Sequence, residues 1–69
     1  MEAIPARIQI DAAWLPARVL DISTSGMKLE VRNYLPVHSE VTVCFNSIIA
    51  LGQIRYCRRN CNESFDLGL

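Results

Sequence analysis

The residues best placed to do chemistry in this 69-residue chain lie in one short run, Asp21-Ile22-Ser23-Thr24-Ser25-Gly26. A carboxylate at Asp21 can accept the two neighbouring donors of a guanine edge, its N1–H and its exocyclic amine. Ser23 adds a small hydroxyl. Gly26, with no Cβ, lets backbone approach a flat base closely and can take positive φ in a turn. The same residue types also have a purely structural use, because Asp and Ser at turns bond the backbone beside them. A base-containing ligand that carried phosphates would need cations as well, best as planar guanidinium groups that both pair with phosphate and stack on a base.

The other reactive side chains do not assemble into a site by spacing. Cys57 and Cys61, with His38 far off in sequence, fall short of the four closely paired ligands of structural zinc, so no metal site is expected. His38 follows Pro36-Val37 in a loop-like stretch with no nucleophile at a matching spacing, and reads as solvated. Arg55, Arg58 and Arg59 make a local basic cluster that suits an exposed hairpin surface. Trp14 could anchor a partner or pack over one end of the fold. No paired carboxylates, activated nucleophile or phosphate-cradling glycine loop is present, so catalysis is not expected, nor is any cofactor.

The elements that must position Asp21, Ser23 and Gly26 are strands. Ile4, Ala6, Ile8 and Ile10 alternate with polar neighbours, and Leu15, Ala17 and Val19 repeat the pattern up to an expected end at Asp21. Ser23 to Gly26 is the sharpest turn signal in the chain. Met27, Leu29 and Val31 then resume the alternation. Asn33 to Ser39, which contains Pro36, reads as a loop crossing one end of a barrel, and Val41, Val43 and Phe45 form a fourth strand before the turn Asn46-Ser47. Ile48 to Arg58 reads as one long strand, with Ile54 and Tyr56 on one face, Cys57 on the other, and a bulge or bend at Gly52. Phe65, Leu67 and Leu69 close the pattern. The expectation is all-β: a small six-stranded antiparallel β-barrel made by residues 1–69 as a single domain, truncated at one or both ends because the strand pattern still runs at Leu69.

Composition narrows the function. Seven Lys+Arg balance seven Asp+Glu, which removes the surplus positive charge that duplex nucleic acid or an anionic membrane would require. The longest strictly aliphatic run, Ile48-Ile49-Ala50-Leu51, is far short of the roughly 20 residues that span a bilayer. Glu2 stands where a secretory leader would carry basic charge, and three cysteines are an odd number, so a cytoplasmic protein with reduced thiols is expected. A chain this short with zero net charge also invites a partner, either another protein, a neighbouring domain or a second copy of itself.

Asp21-x-Ser23-x-x-Gly26 between two strands, together with Leu51-Gly52-Gln53-Ile54-Arg55-Tyr56-Cys57-Arg58 and Phe65-Asp66-Leu67-Gly68-Leu69, resembles the PilZ domain family over nearly the whole chain. The resemblance implies a six-stranded barrel that acts as a bacterial cyclic di-GMP receptor, with Asp21, Ser23 and Gly26 as ligand-binding residues. It also implies an Arg-x-x-x-Arg arm just before the first strand that holds the phosphates and moves on binding. Residues 1–5 contain no arginine. Arg55 and Arg59 match the arm as a string but lie downstream, and the match reads as coincidence. The expectation is a degenerate regulatory domain that binds cyclic di-GMP weakly or not at all by itself; the alternative is a protein-interaction module indifferent to nucleotides.

Overall fold

In the computed structural model, which describes residues 2–69, every regular element is a strand. β1 is Ile4–Ile10, β2 Ala13–Ser23, β3 Gly26–Val31, β4 Glu40–Phe45, β5 Ile48–Gln53, β6 Tyr56–Arg59 and β7 Phe65–Gly68. They form one antiparallel sheet in the order β5-β4-β1-β2-β3-β7-β6, curled into a half-barrel. The inward parity of each strand supplies the core. Ile8, Val19, Leu29, Val43, Ile54 and Leu67 are fully buried, and Leu35 reaches in from the loop after β3.

There are seven strands and not six, because the long segment from Ile48 to Arg58 breaks at Ile54-Arg55. The cause is where its backbone groups go. The Ile54 N–H donates to Ser39 O at 2.9 Å and its carbonyl accepts from the His38 N–H at 2.8 Å, whereas the next N–H, of Arg55, donates to Gly68 O at 2.7 Å. Two residues therefore carry the chain from one edge strand of the sheet, β5, to the other, β6. A trans peptide chain advances at most about 3.6 Å per residue, so the sheet must be curled until its two edges nearly meet at this corner.

The break also shifts the side-chain parity. Gly52 and Ile54 face inward on one side of it, but Cys57, paired with the buried Leu67, takes the inward position in β6. Tyr56 faces outward, with the Arg58 guanidinium 4.9 Å from its ring centroid. Gly52 is not a bulge: it pairs in register with Val41, and its missing side chain leaves room for Leu69.

The β4–β5 hairpin turns through Asn46 (φ 46°) and Ser47 (φ 65°). Two positive-φ residues make the type I′ geometry that matches strand twist, and Asn-Gly is its preferred sequence. A side chain in the left-handed region is strained, which glycine relieves. Ser47→Gly is therefore expected to stabilise the domain by about 0.5–1 kcal/mol, a rise in Tm of roughly 2–8 °C in a domain this small. A thermal melt followed by circular dichroism checks it, and an unchanged or lower Tm would count against the strain.

Candidate functional site

Asp21 reaches the surface through a register slip. β2 and β3 pair Val19 with Leu29 but Asp21 with Lys28, so Leu20 is an extra residue, a β-bulge. Without it, Asp21 would share the inward parity of Ala17 and Val19. With it, Asp21 and Ser23 lie on the outward parity with Lys28, and the expected end of the strand at Asp21 moves on to Ser23.

The turn itself is a two-residue loop, Thr24-Ser25, with Ser23 opposite Gly26. Neither loop residue has positive φ, so the turn lacks the primed geometry that suits a hairpin. Side chains hold it instead. The Ser25 N–H donates to Ser23 Oγ at 3.3 Å, the two serine hydroxyls lie 3.0 Å apart, and Ser23 Oγ donates to Gly26 O at 3.4 Å. Ser23 thus has the local structural use open to it from sequence, whatever else it binds. Asp21 is exposed and makes no hydrogen bond or ion pair among the described residues.

Gly26 is needed for a different reason from the one its place in a turn suggests. Its φ is not positive. A Cβ there would fall inside the radius of the Leu69 carbonyl oxygen, because Leu69 continues the β3–β7 ladder: its N–H donates to Met27 O at 2.9 Å and its carbonyl accepts from the Met27 N–H at 3.3 Å. Close approach, not turn conformation, selects glycine at this position.

The structure also brings to the turn a residue that sequence reasoning set aside. Arg55 Nη1 donates to Ser25 O at 3.3 Å, across thirty positions of sequence. Its backbone N–H is tied to Gly68, so the side chain is anchored at both ends. Asp21, Ser23 and Gly26 line a single open concavity of about 450 Å³ with Lys28, Arg55 and Tyr56. Two cations, one free carboxylate and the Ser23 hydroxyl therefore border one hollow on a chain of zero formal net charge. No sequence signal marks Arg55, because the parity slip after Ile54, at the corner where the chain crosses toward the turn, shows only in the strand register. Arg59, at the far end of β6, does not line the hollow.

Compared with known families, the chain matches the model described as PilZ domain over residues 2–69. The chain belongs to the PilZ domain family. PilZ is a cyclic di-GMP receptor-type family of regulatory binding domains, and the half-barrel seen here is consistent with its β-barrel. No curated protein and no solved structure matches the chain significantly.

The remaining candidates of the sequence lie elsewhere in this PilZ domain. Trp14 belongs to β2, on the outer surface of the sheet, with the Arg7 guanidinium 5.1 Å from its ring centroid. His38 is exposed, and its backbone (φ 76°) forms the corner that receives Ile54. Cys44 and Cys57 are half-buried free thiols and Cys61 is an exposed one. No helix among the described residues is long and apolar enough to cross a membrane.

Proposed function

We propose that this PilZ domain is a cytoplasmic regulatory unit whose Ser23–Gly26 hairpin is a guanine-reading half-site, and that residues 1–69 bind cyclic di-GMP only weakly by themselves. It binds its ligand and does not transform it. The observation that carries the reading is the shared concavity, in which the free Asp21 carboxylate, Ser23 and the bare backbone at Gly26 border one hollow with Lys28 and Arg55. Asp21 would accept from the guanine edge. Arg55 has spent one donor on Ser25 and keeps the rest of its five N–H groups for an anion.

One cation beside the turn and a lysine do not replace a pair of guanidinium groups on two phosphates. The β1–β2 register supports one place from which such a pair could act. β1 and β2 pair Ile4 with Val19, and the same antiparallel register, if extended, would carry a segment placed before Ile4 along β2 toward Leu20 and Asp21. A segment joined there would be delivered to the site. In this sequence residues 1–3 hold the acid Glu2 and no arginine.

Calorimetric titration with cyclic di-GMP at modest salt, beside a control dinucleotide, tests the reading. Weak binding is expected for the chain, at least tenfold tighter binding when an Arg-x-x-x-Arg segment replaces residues 1–3, and loss in Ser23→Ala with the Arg segment present, given charge-assisted phosphate bonds of roughly 1.5–3 kcal/mol each. Unchanged heat with the added segment would overturn it. That outcome would favour the alternative, a nucleotide-independent interaction module, for which the exposure of Ile49 (71%) and Leu51 (81%) is the supporting observation.

A further inference from the structure

The outer surface of the sheet divides into two unlike halves. Across β2, β3, β7 and β6 it is charged, and away from the Asp21 hollow those charges are partly paired with one another. Arg18 Nε lies 3.4 Å from Glu30 Oε1, and Asn60 Nδ2 donates to both Glu30 Oε2 and Asp66 Oδ1 at 3.0 Å. Across β5, β4, β1 and β2 the ladders align two rows instead, Ile49–Cys44–Arg7–Pro16 and Leu51–Thr42–Gln9–Trp14. Ile49, Leu51 and Trp14 are all substantially exposed there, and the one charge in these rows, Arg7, lies over the Trp14 ring. The edge strand β5, Ile48–Gln53, has no charged side chain, no proline and no bulge.

We propose that this face packs on the same face of a second copy of the chain, about a two-fold axis that runs across the strands. Charge selects both the partner and the axis. Two shallow grooves of about 490 Å³ each run over these rows where they cross β5, β4 and β1, one lined by Gln9, Thr42 and Leu51 and the other by Arg7, Cys44 and Ile49, and they open toward opposite ends of the strands. One is bordered by Asp11 and Glu40, the other by Arg7. An axis across the strands swaps their ends, so the acidic groove of each copy meets the basic groove of the other, twice. An axis along the strands would set like against like. The face is thus complementary to itself, and zero formal net charge leaves no long-range repulsion between copies.

Laid flat, four strands at about 4.8 Å and six residues at about 3.3 Å would measure roughly 20 × 20 Å, and the curl of the sheet reduces what two copies can bring together. A standard interface takes about 800 Å² of accessible surface per partner, so this one falls below that size and a weak dimer, with Kd of roughly 10–100 μM, is expected. Sedimentation of the chain from low-micromolar to near-millimolar concentration should show a monomer–dimer equilibrium. Leu51→Lys should weaken it about a hundredfold, because it removes two copies of a large apolar contact from a small interface. Arg7→Glu alone and Glu40→Lys alone should each shift the equilibrium to monomer, and an equimolar mixture of the two should recover the dimer, since each altered end then meets its opposite. Unchanged melting curves separate these effects from unfolding. A monomer at every concentration, a dimer indifferent to Leu51→Lys, or no recovery in the mixture would each overturn the proposal. Higher oligomers through the β5 edge would overturn it as well.

Discussion

Ile54→Ala is expected to cost about 2–5 kcal/mol, the range for emptying a buried aliphatic site that cannot collapse. The site has little freedom to collapse because the residue sits at the corner where the two edges of the sheet meet. Its side chain is fully buried, and its backbone is bonded to Ser39 on one side and His38 on the other. A single core in a chain of this length rarely supplies more than about 3–5 kcal/mol, so the variant should be largely unfolded or lose roughly 10–30 °C in Tm. Leu51→Ala, three residues away on an exposed position, should cost less than about 0.5 kcal/mol. Equilibrium urea unfolding of the two variants, with the protein dilute, makes the comparison. If Ile54→Ala proved as mild as Leu51→Ala, the corner would not be what holds the edges together. The consequence for the site is direct, since Arg55 follows Ile54 and owes its position at Ser25 to the same corner.

How far the sequence could be read depends on whether one period governs a segment. β1, β3, β4 and β7 keep a strict two-residue alternation, and their inward residues, among them Ile8, Leu29, Val43 and Leu67, are the buried ones. Period alone identifies such strands. It fails where the alternation is reset. Leu20 is an extra residue in β2, and nothing in its type distinguishes a bulge from ordinary pairing; only the register with β3 shows that Asp21 has been turned outward. Ile54 and Cys57 both face the core, which no unbroken strand permits, yet either parity of that stretch offers apolar residues and so the break is hidden. Asp21, Ser23 and Gly26 were visible because they are neighbours in sequence. Arg55 was not, because a contact across thirty positions follows from topology and not from spacing.

The same distinction between local and long-range cause decides what Gly26→Ala should do. If glycine were required by a positive φ, alanine would be strained wherever the turn formed, independent of the rest of the chain. Here φ is ordinary, and the obstacle is the Leu69 carbonyl, held against β3 by its pair of hydrogen bonds with Met27. A backbone oxygen in a ladder cannot rotate aside as a flexible side chain would. The added methyl must therefore separate β3 from the end of β7, and overpacking of this kind costs about 1–3 kcal/mol. Because the displaced strands carry Gly26, Lys28 and Leu69 of the concavity, any affinity for cyclic di-GMP should fall with it. The long-range cause predicts a coupling that the local one does not. In a chain ending at Gly68 the clashing carbonyl is gone, so Gly26→Ala should there cost less than about 0.5 kcal/mol, the range for a harmless surface change. A double-mutant cycle on urea unfolding reads that coupling as non-additivity between the substitution and the deletion. Full additivity would return the requirement for glycine to the turn, and with it the view that Asp21-x-Ser23-x-x-Gly26 is shaped by its own loop alone and not by the strand that closes over it.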